Sequence, residues 1–246
     1  MEQINVPVPS VFATPEKFSE EVQADLSVTF VREYGAASRT MLVALGGMKR
    51  KPGIVPFEFG GVTAGLPVKK LYFREPSRIW YRRGLAGVGR DLDAIAGFIR
   101  AEVKAQQIER LVMIGNSMGG YAAILFGCLA EADEVHAFSP QTFLSFWLRL
   151  RLGDKRWTRL ILKRRFAPGW PAYSDLRPVV LEKNPRTNLY LHYSTASQVD
   201  TRHVERLAGL PGVHLRAHAE GGHRVVTQLR ATGELETILR VATAGP

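Results

Sequence analysis

The chain has 246 residues, 46% of them hydrophobic, and its 33 Lys and Arg against 23 Asp and Glu give a formal net charge of +10. That length and apolar share suit one domain over 1–246 with a large core, and no run of 18 apolar residues offers a membrane-spanning helix. The single cysteine, Cys128, excludes an intramolecular disulfide, and the positive charge raises nucleic acid, anionic lipid or an acidic substrate as partners.

Residues 1–20 read as a tail. Glu2 and Asn5 interrupt any apolar region and Pro7 and Pro9 follow, so no secretory signal is expected, and with the lone cysteine this favours the cytoplasm. Leu26-Ser27-Val28-Thr29-Phe30-Val31 alternates as a strand near a sheet edge should. Met41-Leu42-Val43-Ala44-Leu45 reads as a buried strand ending in Gly46-Gly47-Met48. Lys49-Arg50-Lys51 is then a solvated loop or an anion contact, and residues 52–67 read as a loop over the sheet. Lys69-Lys70-Leu71-Tyr72-Phe73 is a short strand. In the irregular stretch from Pro76 to Gly89, Trp80 and Tyr81, beside Arg82 and Arg83, read as cover over the core. Leu92, Ile95, Ala96, Ile99 and Val103 are spaced for one helix face, with Asp91 and Asp93 at the positive end of its dipole.

Leu111-Val112-Met113-Ile114 is continuously apolar, as a strand buried on both faces requires. Gly115-Asn116-Ser117-Met118-Gly119 follows, then a helix-forming run that carries Cys128 as a small buried apolar residue. Glu134-Val135-His136-Ala137-Phe138-Ser139 is the next strand, closed by Pro140, with His136 a packed histidine within it. From Arg149 to Arg165 eight basic residues stand against one acid, Asp154, a surplus of seven within the net +10. On one helical wheel Phe143, Phe146, Trp147, Leu150, Trp157 and Ile161 share a face, and Arg149, Lys155, Arg156, Arg159 and Lys163 lie opposite. Gly153-Asp154 breaks the run into two short helices. Asn188-Leu189-Tyr190-Leu191-His192-Tyr193 is a strand, followed by a loop with Asp200 and a helix marked by Val204, Leu207 and Ala208. Val213-His214-Leu215-Arg216-Ala217-His218 is the last strand, with Gly221-Gly222-His223 at its end. One helix then runs through Leu229 and another from Glu234 to Val241.

A tight strand–turn–helix strains its central residue and pushes that side chain clear of the sheet, while the helix N-terminus offers unpaired N–H groups to a developing anion. The Gly115–Gly119 motif in this setting resembles the nucleophile elbow of the α/β-hydrolase superfamily, and the likeness extends from about residue 40 to the end. It implies an α/β fold: a mostly parallel central sheet flanked by helices, with a helical, basic lid inserted at about 141–183. It also implies the order serine, acid, histidine, each on a loop after a strand, which Ser117, Asp200 and His223 fit. His218 is the alternative base, and Asp175 and Glu205 are alternative acids. The oxyanion donors would be the backbone N–H of Met118 and one from Gly47 or Met48, although the HGGG form of that loop is absent. His223 would take the Ser117 proton and Asp200 would orient the imidazole.

No zinc spacing, phosphate-cradling loop or carboxylate pair suggests a metal, nucleotide or glycosidase site. The expected function is a serine hydrolase, esterase- or thioesterase-like, that cleaves an acyl bond of a small or lipid-like substrate through an acyl-enzyme, without a cofactor. An acyltransferase and a non-catalytic binding protein are the alternatives on the same fold. The face bearing Arg149, Arg156, Arg159 and Lys163 is either a solvated lid surface or a contact for an anionic membrane or acidic polymer. Nucleic acid is disfavoured because Trp147 and Trp157 are expected to face the core, which leaves no stacking platform. The oligomeric state is left open.

Overall fold

The computed structural model describes residues 20–25, 27–48, 57–164, 170, 172–183 and 186–244. Among the described residues seven strands form one sheet: β1 (Phe30–Glu33), β2 (Thr40–Leu45), β3 (Lys69–Phe73), β4 (Arg110–Asn116), β5 (Glu134–Phe138), β6 (Asn188–Ser194) and β7 (Val213–His218). Their spatial order is β1-β3-β2-β4-β5-β6-β7. Only β1 runs antiparallel, against β3; every other pair is parallel. The helices are α1 (Glu20–Ala24), α2 (Gly60–Thr63), α3 (Leu92–Ala105), α4 (Met118–Leu129), α5 (Phe146–Arg151), α6 (Thr158–Arg164), α7 (Leu176–Lys183), α8 (Gln198–Glu205), α9 (Val225–Ala231) and α10 (Glu234–Ala244).

Both faces of the sheet are covered, as a parallel sheet requires. Met41, Val43 and Leu45 of β2 pack on one side with α3 and α4, whereas Leu42 and Ala44 pack on the other with Leu229, Leu235 and Leu239 of α9 and α10. α4 is apolar all round and buried from Met118 to Cys128, which fits a helix enclosed by sheet and neighbouring helices. Asp91 caps α3, its side chain accepting from the Ala94 N–H at 2.8 Å.

Two expectations shift. β1 starts at Phe30, because its partner strand ends opposite it at Phe73; Thr29 sends its hydroxyl to the Ala86 carbonyl at 2.7 Å, and Leu26 lies outside the described residues. Asp200 lies in the first turn of α8, capped by Ser197, and not in a free loop. The stretch expected as a lid, 141–183, sends Phe143, Leu144, Ile161 and Leu176 into the core, and α7 packs on α4. Of the tail expected at 1–20, residues 1–19 lie outside the described residues and Glu20 opens α1; Lys49-Arg50-Lys51 also lie outside them.

His136 is packed as expected, within a row of rings on β5, β6 and β7. Its Nε2 meets Glu134 Oε1 at 2.7 Å and its Nδ1 meets His192 Nε2 at 3.0 Å; His192 Nδ1 meets His218 Nε2 at 3.3 Å. Tyr190 stacks on His136 and Phe138 on His192.

Candidate active site

Ser117 joins β4 to α4 at φ 55° and ψ −110°, a left-handed conformation that costs a non-glycine residue about 1–3 kcal/mol. The surroundings enforce it. The Ser117 N–H donates to the Phe138 carbonyl at 2.8 Å, and its own carbonyl accepts from Tyr121 N–H at 3.0 Å. A Cβ on Gly115 would lie 2.1 Å from the Gly119 carbonyl oxygen, and one on Gly119 would lie 2.0 Å from that of Leu45. Both glycines of the motif are therefore demanded by backbone packing as well as by access to the serine. The Ser117 side chain caps nothing, so its hydroxyl is left to the site.

Ser117 Oγ lies 3.0 Å from His223 Nε2. His223 Nδ1 lies 2.9 Å from Asp200 Oδ2 and 3.0 Å from Oδ1. A carboxylate only accepts, so Nδ1 carries the ring proton and Nε2 turns its lone pair to the serine. His223 occupies a 3-10 turn, Gly222–Arg224, just beyond β7, entered through Gly221 at φ 93°. Its side chain is 31% exposed, whereas that of Asp200 is fully buried. Burial alone would raise the Asp200 carboxyl; the His223 hydrogen bond, with the charges of His223 and Arg156, outweighs it and holds the group below its ordinary value.

Beside the loop after β2, burial raises the Glu58 carboxyl to about 7, against hydrogen bonds from the Gly47 N–H and the Asn116 side chain and the charge of Arg230. The Gly47 N–H is thus turned toward Glu58. Tyr81 holds the same loop, donating its hydroxyl to the Gly46 carbonyl at 2.9 Å.

Arg156 was not expected here. Its Nη1 lies 2.7 Å from Asp200 Oδ1 and 3.0 Å from His223 Nδ1. Its Nε donates to Asp154 Oδ1 at 3.1 Å and its Nη2 to Oδ2 at 3.3 Å. The buried Asp154 carboxylate also accepts from Arg149 at 2.7 Å and His203 Nε2 at 3.0 Å. Burial would raise the Asp154 carboxyl, but the His203 and Arg156 hydrogen bonds and the two arginine charges hold it well below the usual range. Gly153-Asp154 does break the helical run, yet its acid is the hub of a buried charge cluster.

No family model matches the chain, and no curated protein matches it by sequence. Solved structures do match. A capsule O-acetyltransferase of Neisseria meningitidis serogroup A superposes with TM-score 0.63 at 14% identity, covering 86% of this chain and 90% of its own. MenH from S. aureus gives 0.55 at 11% identity, covering 87% and 97%, and a lipase-esterase related protein from Clostridium acetobutylicum gives 0.54 at 15%, covering 85% and 97%. The chain has the α/β-hydrolase fold.

Within that α/β-hydrolase fold, Ser117, His223 and Asp200 lie together at the carboxyl ends of β4, β7 and β6. The alternatives lie elsewhere. His218 bonds to His192, and Asp175 is held by Arg206, whose Nε donates at 3.0 Å. The basic face is corrected. Arg149 and Arg156 turn inward to Asp154, because a buried carboxylate attracts cations that a helical wheel assigns to solvent; Arg159 and Lys163 remain exposed. Trp147 and Leu150, expected in the core, are 74% and 65% exposed, since Gly153 ends α5 and the inner side of that helix is taken by Arg149. The missing stacking platform therefore no longer argues against nucleic acid.

The buried histidines make the fold acid-sensitive. Burial lowers the His203 imidazole to about 4, against the Asp154 hydrogen bond, and burial followed by the charges of His136, His218 and Arg216 lowers that of His192. In the unfolded chain both take protons near the ordinary 6.5. Stability is therefore greatest above that value and is lost as pH falls from 6.5 toward 4, by roughly 3 kcal/mol for His203. The melting temperature should fall steadily from pH 7 to pH 4.5; a flat profile would mean that both rings take protons freely while the protein is folded.

Proposed function

We propose that this chain is an acyl-transferring enzyme in which Ser117 is the nucleophile, His223 the general base and Asp200 the orienting acid. The observation that carries the reading is the serine held at 3.0 Å from a ring nitrogen whose opposite nitrogen is fixed on a buried carboxylate. His223 takes the hydroxyl proton as Ser117 Oγ attacks an ester or thioester carbonyl. The tetrahedral oxyanion falls to the Met118 N–H, which as the first helical N–H of α4 has no partner within the helix. Met48 supplies the second donor, Gly47 being turned to Glu58. His223 then returns the proton to the leaving group, and an acyl-Ser117 remains.

Water or an acceptor hydroxyl can release that acyl group. Hydrolysis is the first reading. Transfer to a hydroxyl acceptor is the second, and the structural likeness to a capsule O-acetyltransferase favours it. Intact-mass measurement after incubation with acyl esters and acyl thioesters of several chain lengths should show an adduct on Ser117 with at least one of them. Release with and without added sugars then divides hydrolysis from transfer. If no ester or thioester gives an adduct or turnover, the protein is a binding module on this fold.

The surface suits an anionic bilayer. Trp147 and Leu150 are one turn apart on α5, and Arg151, Lys155, Arg159 and Lys163 are exposed on the same segment. Two apolar anchors amid cations fit lipid better than a polysaccharide, which needs no anchor. Each cation contributes about 1 kcal/mol near such a surface. The protein should sediment with anionic vesicles at low salt, less so as salt rises, and Trp147→Ala with Leu150→Ala should weaken binding further. Retention by acidic polysaccharide alone, or by neither, would overturn this assignment.

A further inference from the structure

We infer that Arg156 is a positioning residue for the Asp200–His223 pair, sent into the site by the segment between β5 and β6. The inference rests on the reading of Ser117 and His223 given above.

The guanidinium is a fork anchored at one end. Nε and Nη2 engage the two oxygens of Asp154, and the Arg156 backbone N–H donates to Asp154 Oδ1 at 2.8 Å. Asp154 is itself fixed by Arg149 and by His203. The Thr142 N–H donates to His203 Nδ1 at 3.0 Å, so the ring's own proton lies on Nε2 and is given to Asp154. The remaining nitrogen, Nη1, is thereby aimed at Asp200 Oδ1 at 2.7 Å, while His223 Nδ1 straddles the carboxylate at 2.9 Å from Oδ2 and 3.0 Å from Oδ1. Oδ1 is held from both sides, and Asp200 cannot rotate without lengthening one of these contacts. A lysine could supply the charge but not this planar grip on two carboxylates.

The charge matters as much as the grip. The groups facing His223 are Asp200 and Arg156, with Asp154, Arg149 and the neutral His203 behind them. Two carboxylates and two guanidiniums cancel before any proton moves. A lone Asp–His pair would instead carry one negative charge and would favour the imidazolium more strongly. Arg156 therefore holds Asp200 in place while tempering its pull on the proton that His223 must take and return. Because Arg156 is delivered by the segment between β5 and β6, that segment must be docked for the pair to be set.

The rate of Ser117 labelling by a fluorophosphonate, followed against pH, tests this without knowledge of the substrate. Arg156→Gln should label about 100-fold more slowly at its plateau, the scale of a misplaced catalytic group. Its acid limb should move up by about one pH unit, the scale expected from a neighbouring charge. Arg156→Lys should lose about tenfold at the plateau and keep its acid limb in place, because charge survives where the fork does not. Slower labelling of Arg156→Gln with the limb unmoved would mean a structural role only and would overturn the inference, as would wild-type rates in both variants. If melting shows Arg156→Gln unfolded, Arg156→Lys decides alone, and a wild-type rate there overturns the inference. An unlabelled wild type removes the Ser117 reading and this inference together; a labelled wild type with unchanged variants removes the inference only.

Discussion

A fluorophosphonate probe should label the protein at one residue, Ser117, and Ser117→Ala should abolish labelling while the melting temperature stays within a few degrees of wild type. The expectation follows from local mechanics. Alanine inherits the strained backbone at φ 55°, which the Phe138 and Tyr121 hydrogen bonds impose whatever the side chain, so the fold survives. The serine hydroxyl caps no helix and lies 3.0 Å from His223 Nε2, so its removal deletes the nucleophile and little else. Folded, unlabelled wild type would remove Ser117 from the chemistry and leave the binding-module reading in its place.

His223→Ala should lower turnover by about 10⁶-fold, the loss seen when a serine loses its base. Asp200→Asn should cost about 10⁴-fold, since an amide can present its N–H to the ring and stabilise the wrong tautomer. In this site it also leaves Arg156 Nη1 3.0 Å from His223 Nδ1 with no Asp200 charge beside them, Asp154 being the only carboxylate still on that guanidinium among the described residues. Asp175→Asn should leave turnover within a few-fold of wild type, because Asp175 serves Arg206. Steady-state kinetics on whichever acyl ester is turned over would check the three together. A large loss in Asp175→Asn with none in Asp200→Asn would reassign the acid.

What the sequence made legible was local or ordered. The strand–turn–helix around Ser117 announces itself because the two glycines are dictated within five residues of chain. β2 and β4 are readable because a parallel sheet buries both faces and leaves unbroken apolar runs, whereas β7 is readable by alternation alone. Asp200 and His223 follow from chain order, since successive strands deliver successive loops to one edge. The charge cluster was hidden because a helical wheel ranks side chains by hydropathy and counts every arginine as solvent-facing. Arg149 is buried and Arg156 turned inward only because Asp154 waits for them, a pairing that no periodicity encodes. One signal was present: Asp154 is the single acid among eight cations, and a lone acid in a basic run is an invitation to pair. Trp147 was misplaced by the same wheel, which ran one face through Gly153 as though α5 and α6 were a single cylinder.

The row of imidazoles has a consequence for how the sheet is aligned. β7 is the strand least able to find its own place by burial, since its residues are half-buried or exposed from end to end. In such a strand a slip by one residue costs little apolar contact and turns every side chain to the opposite face. The ring chain makes that slip costly. With the rings neutral, Glu134 fixes a proton on His136 Nε2, so His136 Nδ1 accepts from His192 Nε2, and His192 Nδ1 in turn from His218 Nε2. Each neutral ring then has one tautomer that fits, and the chain closes only if His218 stands opposite Ser194. A one-step shift of β7 would point His218 away and carry Gly221-Gly222-His223 a full residue along the edge, about 3.3 Å from Ser117's reach. The imidazoles on one side of the sheet thus act as an alignment key for the histidine at its edge.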